Sequence, residues 1–69
     1  MKLVAILARN VRERRRELGL TQEALAERCG LHPTYISGIE TGDRNPSLNA
    51  LEKLAASLEL PAHHLLERD

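Results

Sequence analysis

The chain has 69 residues, a formal net charge of zero, one cysteine, and Tyr35 as its sole Phe, Tyr or Trp. One small domain over residues 1–69 is expected, and the single cysteine excludes a disulfide within one chain. Zero net charge argues against a simple basic nucleic-acid binder, although basic residues are concentrated in positions 1–18 and acidic ones predominate after Pro46. β-Branched residues are few, which favours an all-α fold.

Two helices are predicted in the first thirty residues. Five apolar residues follow the i, i+3/i+4, i+7 spacing of an amphipathic helix over residues 2–18: Leu3, Ile6, Leu7, Val11 and Leu18. Gly19 is expected to end this helix. Thr21 is a good N-cap for a second helix, which Gly30 ends. The inward face of that helix is predicted to consist of Leu25, Ala26 and Cys29.

Three further helices are predicted, each beginning near a Pro or a capping Ser. Pro33 suits the first position of a third helix, which Gly42 ends. Ser47 caps a fourth helix with a leucine-rich face, and Pro61 begins a short fifth helix over residues 61–67. The sequence therefore predicts a bundle of five α-helices without a sheet.

The second and third helices are each only about eight residues long and are joined by the sequence GLHP. Two short helices joined by a tight, glycine-containing turn are typical of the helix-turn-helix, whose second helix enters the major groove of DNA. Residues 21–42 are therefore predicted to form this motif. Other small bundles also contain short helices and glycine turns, so this pattern alone is a weak indication.

More specific landmarks lie between Leu18 and Leu60. They are Gln22 after the Thr cap, Leu25-Ala26, Gly30, the set Ile36, Ile39, Glu40 and Gly42, and the Arg-Asn-Pro-Ser run at 44–47. With these landmarks the chain resembles the phage-repressor (Cro-like, Xre-type) helix-turn-helix family, and within it most resembles the controller proteins of restriction–modification systems. The resemblance implies a five-helix, lambda-repressor-like fold. It also implies a bacterial or phage homodimer that binds a palindromic double-stranded DNA operator and regulates transcription.

The resemblance implies that four positions of the third helix read bases: Pro33, Thr34, Ser37 and Gly38. Arg, Gln and Asn, which make the strongest base contacts, are absent from these positions. We therefore expect sparse direct readout and a larger role for DNA shape, water and arginines. Gly38 costs about 1 kcal/mol relative to Ala inside a helix. It either lets the helix backbone lie closer to the groove or avoids a clash with the second helix or another neighbour.

Contacts with the DNA backbone are implied for a second set of residues: Thr21, Gln22, His32, Tyr35, Arg44 and Asn45. For four of these residues the sequence also allows a role within the fold. Thr21 and Gln22 also suit a plain capping turn, and Tyr35 also suits core filling. His32 could instead contact a base edge or only cap the helix. Asp43 is acidic, so we expect it to structure the turn rather than to contact DNA.

Two further roles follow from the resemblance. Arg15 and Glu40 occupy positions that form a partly buried ion pair between the first and third helices, which would orient the recognition helix rather than read DNA. Apolar residues of the C-terminal segment are the expected dimer contact, with core filling as the alternative: Leu60, Leu65 and Leu66.

Metal binding and catalysis are not expected. Cys29 and His32 do not make a zinc-site pattern, and the adjacent His63 and His64 point about 100° apart on a helix. The sequence contains no nucleophile–base arrangement and no phosphate loop, so neither an enzyme nor a cofactor is predicted. The alternative function is an antitoxin or adaptor module whose main partner is a protein.

The sequence also predicts a cellular location and a mode of regulation. No apolar run approaches the roughly 20 residues of a membrane span, and the single cysteine suits a reducing compartment, so we expect a cytoplasmic protein. We expect no second domain that would receive a small-molecule effector. Operator occupancy is then expected to depend on protein concentration and dimerisation, and an activator would in addition contact RNA polymerase.

Overall fold

The computed structural model describes residues 2–68. Within that range the chain forms four α-helices and one short 3₁₀ helix, with no strand: α1 Leu3–Glu17, α2 Gln22–Cys29, α3 Pro33–Thr41, α4 Leu48–Ser57 and the C-terminal 3₁₀ helix Ala62–Leu66. The predicted all-α class is confirmed. The count of five α-helices is wrong, because the last segment is not α-helical.

The C-terminal segment is held in a tighter turn by contacts with α1. The Asn10 side-chain amide donates hydrogen bonds to the carbonyl oxygens of Leu65 at 2.8 Å and Glu67 at 2.9 Å. Within the segment the backbone bonds join residues three apart, as between the His64 N–H and the Pro61 carbonyl. Five residues are too few to offset the cost of nucleating an α-helix, so the side chain of Asn10 and the burial of Leu65 determine the local shape.

Capping residues set the other boundaries where the sequence predicted them. The Thr21 hydroxyl accepts a hydrogen bond from the Ala24 N–H at 3.0 Å, and the Ser47 hydroxyl accepts one from the Ala50 N–H at 3.1 Å. Gly42 ends α3 in the left-handed region, with φ of 83°, where a side chain would be strained. These residues therefore determine where α2 and α4 begin and where α3 ends.

The core lies where the four helices and the C-terminal 3₁₀ helix meet. Its fully buried side chains include members of every element: Val11, Leu25, Ile36, Ile39, Leu54, Leu58 and Leu65. Leu65 has no exposed surface, which corrects its expected role as a dimer contact. Leu60 and Leu66 pack against the core but remain partly exposed.

A buried polar network joins α1, α2 and α3. The Arg15 guanidinium donates to both carboxylate oxygens of Glu40, from Nε at 2.6 Å and from Nη2 at 3.0 Å, and the Glu40 side chain is only 3% exposed. Gln22 donates from its side-chain amide to the same carboxylate at 3.1 Å. Arg15 also donates to the Leu20 carbonyl at 2.7 Å, so one carboxylate ties α3 to α1, to α2 and, through Arg15, to the turn between them.

The network lowers the pKa of the Glu40 carboxyl group. Burial alone raises this pKa, but the hydrogen bonds from Arg15 and Gln22 and the positive charges of Arg15 and Arg12 outweigh it. Conversely, the hydrogen bond with Glu40 raises the pKa of the Arg15 guanidinium. Both groups are therefore charged in the folded protein near neutral pH.

The lowered pKa of Glu40 predicts a loss of stability in acid. The stabilising contribution is complete above the carboxyl's unfolded pKa of about 4.3 and is lost as the pH falls through the lower folded value. Thermal unfolding, followed by circular dichroism from pH 7 to pH 3, should show the wild-type midpoint falling. Glu40→Gln should be less stable at pH 7 by roughly 3–5 kcal/mol, since Arg15 loses its buried partner, and should show a shallower dependence on pH.

Glu52, an exposed glutamate on α4, provides the matched control. Glu52→Gln should keep the wild-type profile, and sucrose in all samples keeps the weakened variant folded. If Glu40→Gln and Glu52→Gln had the same midpoints at pH 7, the pair would not stabilise the fold.

Candidate nucleic-acid interface

The turn between α2 and α3 is compact and closed by backbone hydrogen bonds. Gly30 adopts a left-handed conformation with φ of 70°, and the Leu31 N–H donates to the Ala26 carbonyl at 2.9 Å. Buried side chains of both helices, among them Leu25 and Ile36, pack across the turn. Two short helices thus meet in a helix-turn-helix arrangement, with α3 as its second helix.

His32 is the N-cap of α3. Its Nδ1 accepts a hydrogen bond from the Thr34 N–H at 3.0 Å, and an accepting Nδ1 means that the neutral ring carries its proton on Nε2. Pro33 occupies the first helical position, where its missing N–H costs nothing. Capping, one of the roles expected of His32, is observed, and the ring's remaining Nε2–H is a donor.

Three of the four predicted base-reading residues share one face of α3. Thr34, Ser37 and Gly38 are spaced i, i+3, i+4, so they lie side by side along the helix. Thr34 is exposed and Ser37 and Gly38 are half-buried, whereas Ile36 and Ile39 point into the core. Pro33, also half-buried, stands at the start of the same helix.

The loop after α3 folds back onto the helix. The N–H groups of Asp43 and Arg44 donate to the Gly38 carbonyl at 2.8 Å and 3.1 Å, and the Asp43 carboxylate accepts from the Thr41 hydroxyl at 3.0 Å. The Arg44 guanidinium carbon lies 5.9 Å from the centre of the Tyr35 ring. Arg44 and Asn45 are exposed, so this loop presents a cation and an amide beside the outer face of α3.

The predicted contacts at the start of α2 are already engaged within the protein. The Thr21 hydroxyl caps the helix, and the Gln22 amide donates to Glu40. The backbone N–H groups of the first turn of α2, of which Thr21 satisfies one, form the positive end of the helix dipole. Gln22 therefore positions α3 through Glu40, a role that sequence reasoning missed because the two residues are far apart in sequence.

Arg12 is a second residue that sequence reasoning missed. Its Nη1 donates to the Glu40 backbone carbonyl at 2.9 Å, so α1 holds both the side chain and the backbone of Glu40. The available signal was spacing, because Arg12 and Arg15 are three residues apart and share one face of α1.

Residues 2–68 contain neither a metal-binding cluster nor a membrane-spanning helix. No group of three His, Cys, Asp or Glu side chains in that range is arranged to hold a metal ion. Cys29 is buried, with its thiol 3.8 Å from the Lys53 carbonyl. None of the helices in the same range combines the length and apolar character that a membrane span requires.

Comparison with known proteins agrees with the fold and motif. Residues 11–65 match the helix-turn-helix family. The chain belongs to this family of DNA-binding transcriptional regulators. Such regulators are not enzymes, and the family resemblance inferred from the sequence is confirmed.

Individual relatives of this helix-turn-helix protein include controller proteins. Control protein C.SmaI of Serratia marcescens is 46% identical over 68 residues, covering 99% of this chain and 81% of its own. A hypothetical transcription factor of Neisseria meningitidis is 45% identical over 64 residues, and this chain spans only 60% of its length. The crystal structure of the restriction–modification controller protein C.Esp1396I, a tetramer in complex with its natural 35-base-pair operator, is similar with a TM-score of 0.85 and 35% identity, covering 94% of this chain and 86% of that one.

The cap of α3 predicts a graded effect of substitution at His32. His32→Ala removes the acceptor for the Thr34 N–H and should lower the free energy of unfolding by about 1 kcal/mol. His32→Asn supplies a short side chain that caps well and should stay close to wild type. Urea unfolding measures both, and an alanine variant as stable as the asparagine variant would show that the cap contributes nothing.

Proposed function

We propose that this protein is a sequence-specific regulator of transcription that binds double-stranded DNA as a homodimer. The main support for this proposal is that α3 is anchored to the core on one face and exposed on the other. Its Ile36 and Ile39 face is buried, its orientation is held by the Arg15–Glu40 pair, and its Thr34 face points outward. A short helix held in this way suits insertion into the major groove.

Base reading is assigned to Pro33, Thr34 and Ser37, while Gly38 lies beside them on the same helix. Thr34 offers a methyl group to thymine and a hydroxyl to donors or acceptors, and Ser37 offers a hydroxyl. Pro33 supplies only apolar contact, and Gly38 has no side chain. With so few polar groups, specificity rests on DNA shape and ordered water as well as on direct contacts.

Phosphate binding is assigned to the residues around α3. Suitable donors are the first-turn N–H groups after Thr21, the His32 Nε2–H, the Tyr35 hydroxyl, the Asn45 amide and the Arg44 guanidinium. Gln22 contributes through its hold on Glu40. The Glu40 carboxylate is buried and neutralised by Arg15, so the acidic residue of α3 does not repel the DNA backbone.

The homodimer is assigned to the C-terminal end of the domain. Leu60 and Leu66 keep partly exposed apolar surface there, beside a polar groove between α1 and the C-terminal segment, whose walls include Asn10, Arg14 and His64. A dimer gains by placing two recognition helices about 34 Å apart, one per half-site of a palindrome. The relative C.Esp1396I, a tetramer on its operator, supports assembly on DNA.

The regulatory setting is proposed from the relatives. C.SmaI is a control protein and C.Esp1396I is a restriction–modification controller, so control of the protein's own operon is the proposed role. Operator occupancy would follow protein concentration, and RNA polymerase would be a further partner if the protein activates. Relatives such as C.SmaI of Serratia marcescens are bacterial, so the proposed location is the bacterial cytoplasm, where operator DNA would be accessible.

Selection of bound duplexes from a random DNA pool tests the function. The expected product is a palindrome with half-sites one helical turn apart, bound with an affinity that falls steeply as salt rises. If the folded protein bound neither the selected nor any generic duplex at low salt, a protein-binding adaptor or antitoxin module would replace this proposal.

A change at Thr34 should affect specificity more than general affinity. Thr34→Ala removes the methyl and hydroxyl groups and should cost roughly 1–3 kcal/mol on the selected operator, with relaxed preference at one position of each half-site. Binding to a generic duplex should be nearly unchanged. A uniform loss on both duplexes would reassign Thr34 from base reading to phosphate contact.

A charge at Leu66 should separate the subunits. Leu66→Asp places a carboxylate on the proposed contact, so sedimentation at tens of micromolar should show monomer where wild type shows dimer. Leu48, 80% exposed at the start of α4, provides the control, and Leu48→Asp should remain dimeric. A wild-type monomer at that concentration that binds isolated half-sites would contradict the dimer.

A further inference from the structure

Gly38 occupies a position on α3 where a side chain would collide with the loop that follows. A Cβ built on Gly38 would lie 2.5 Å from Cγ of Arg44, 3.2 Å from its Cδ and 3.3 Å from its Cβ. A separation of 2.5 Å between carbon atoms is far inside the roughly 3.5–4.0 Å of optimal contact. The neighbour that requires a glycine inside this helix is therefore the stem of Arg44.

The same glycine also anchors the loop through its backbone. Its carbonyl oxygen accepts from the N–H groups of Asp43 and Arg44, and the Thr41 hydroxyl lies 3.1 Å from it. Any residue has this carbonyl, but only glycine leaves the space above it for the Arg44 stem. Arg44 crosses α3 at this point, and its guanidinium carbon then lies 5.9 Å from the Tyr35 ring centre, within the range of cation–π attraction.

We propose that Gly38 is a positioning residue for Arg44, which holds the guanidinium beside the DNA-binding face of α3 before DNA arrives. The proposal rests on the DNA-binding function above, and it assigns the glycine's effect on affinity to the arginine. A collision at Cγ cannot be relieved by rotating the outer bonds of the side chain, because Cγ is attached directly to Cβ. An alanine at this position would therefore move the whole Arg44 side chain off α3 and away from Tyr35.

A direct role for Gly38 is the competing explanation. Without a side chain the helix backbone could lie closer to the bases, in which case an added methyl group would clash with DNA rather than with Arg44. The two explanations differ in their dependence on Arg44. A positioning role disappears when the Arg44 side chain is removed, whereas a clash with DNA persists.

The test compares wild type, Gly38→Ala, Arg44→Ala and the double variant on a short duplex of arbitrary sequence. Affinity is measured between about 50 and 200 mM salt, where one lost phosphate contact reduces the slope of log affinity against log salt by about 0.9. Gly38→Ala should lose this amount, Arg44→Ala the same, and the double variant no more than either. Arg28→Ala serves as the control and should leave the slope unchanged. Arg28 is an exposed arginine in the last turn of α2, at the end away from the proposed phosphate donors.

Tyr35 supplies a second readout without DNA, because it is the chain's single tyrosine. Its ring resonances in NMR spectra should shift in the same direction in Gly38→Ala and in Arg44→Ala, since both remove the guanidinium from the ring. In the Arg44→Ala background, where only the 3.3 Å contact with the Cβ of residue 44 remains, Gly38→Ala should lower the thermal midpoint less than it does in wild type.

The outcomes separate the two levels of the proposal. If wild type bound no DNA, the proposed function would fail, while the Tyr35 readout would still test the packing of Arg44. If Gly38→Ala kept the wild-type slope and Tyr35 spectrum, the positioning role would be overturned. Additive losses in the double variant would overturn it in favour of a direct approach of the α3 backbone to DNA.

Discussion

The buried ion pair between Arg15 and Glu40 is the interaction on which the orientation of α3 depends. One carboxylate accepts three hydrogen bonds, two from Arg15 and one from Gln22, and its residue's backbone carbonyl accepts a fourth from Arg12. A buried pair is costly to desolvate and adds less to stability than its geometry suggests, but loss of one partner is strongly destabilising. In a domain of this size, whose core supplies only roughly 3–5 kcal/mol, such a pair makes folding and the placement of α3 inseparable.

Because the Arg15–Glu40 pair holds α3 on its core side, the outer face of α3 needs no large side chains to fix the orientation of the helix. Thr34 and Ser37 are small, and Gly38 is already occupied from outside by the Arg44 stem. The proposed binding surface therefore consists of two segments, a helix face with small side chains and a loop folded across it. Long, flexible side chains lose conformational entropy on binding DNA, and an arginine already resting on Tyr35 has lost part of that freedom before the encounter.

Local chemistry made much of this fold predictable. The N-caps Thr21 and Ser47 and the left-handed Gly42 depend on a few neighbouring residues, and periodicity located the helices to within a residue or two. Side-chain contacts between distant segments were not predictable in the same way. Asn10 holds the C-terminal segment in a 3₁₀ turn, which also draws Leu65 inward. At the site, the sequence marked Gly38 as anomalous, yet identifying its neighbour required the path of the loop at Arg44.

We propose that the Thr34 face of α3, held by the Glu40 network, is the surface that meets DNA. An NMR titration of the labelled protein with its selected operator duplex tests this proposal. The largest amide shifts should fall on Thr34, Ser37, Gly38 and the loop around Arg44, while exposed residues of α4 such as Ala56 stay unchanged. Shifts concentrated on α4 or the C-terminal 3₁₀ helix, with α3 unaffected, would contradict the claim.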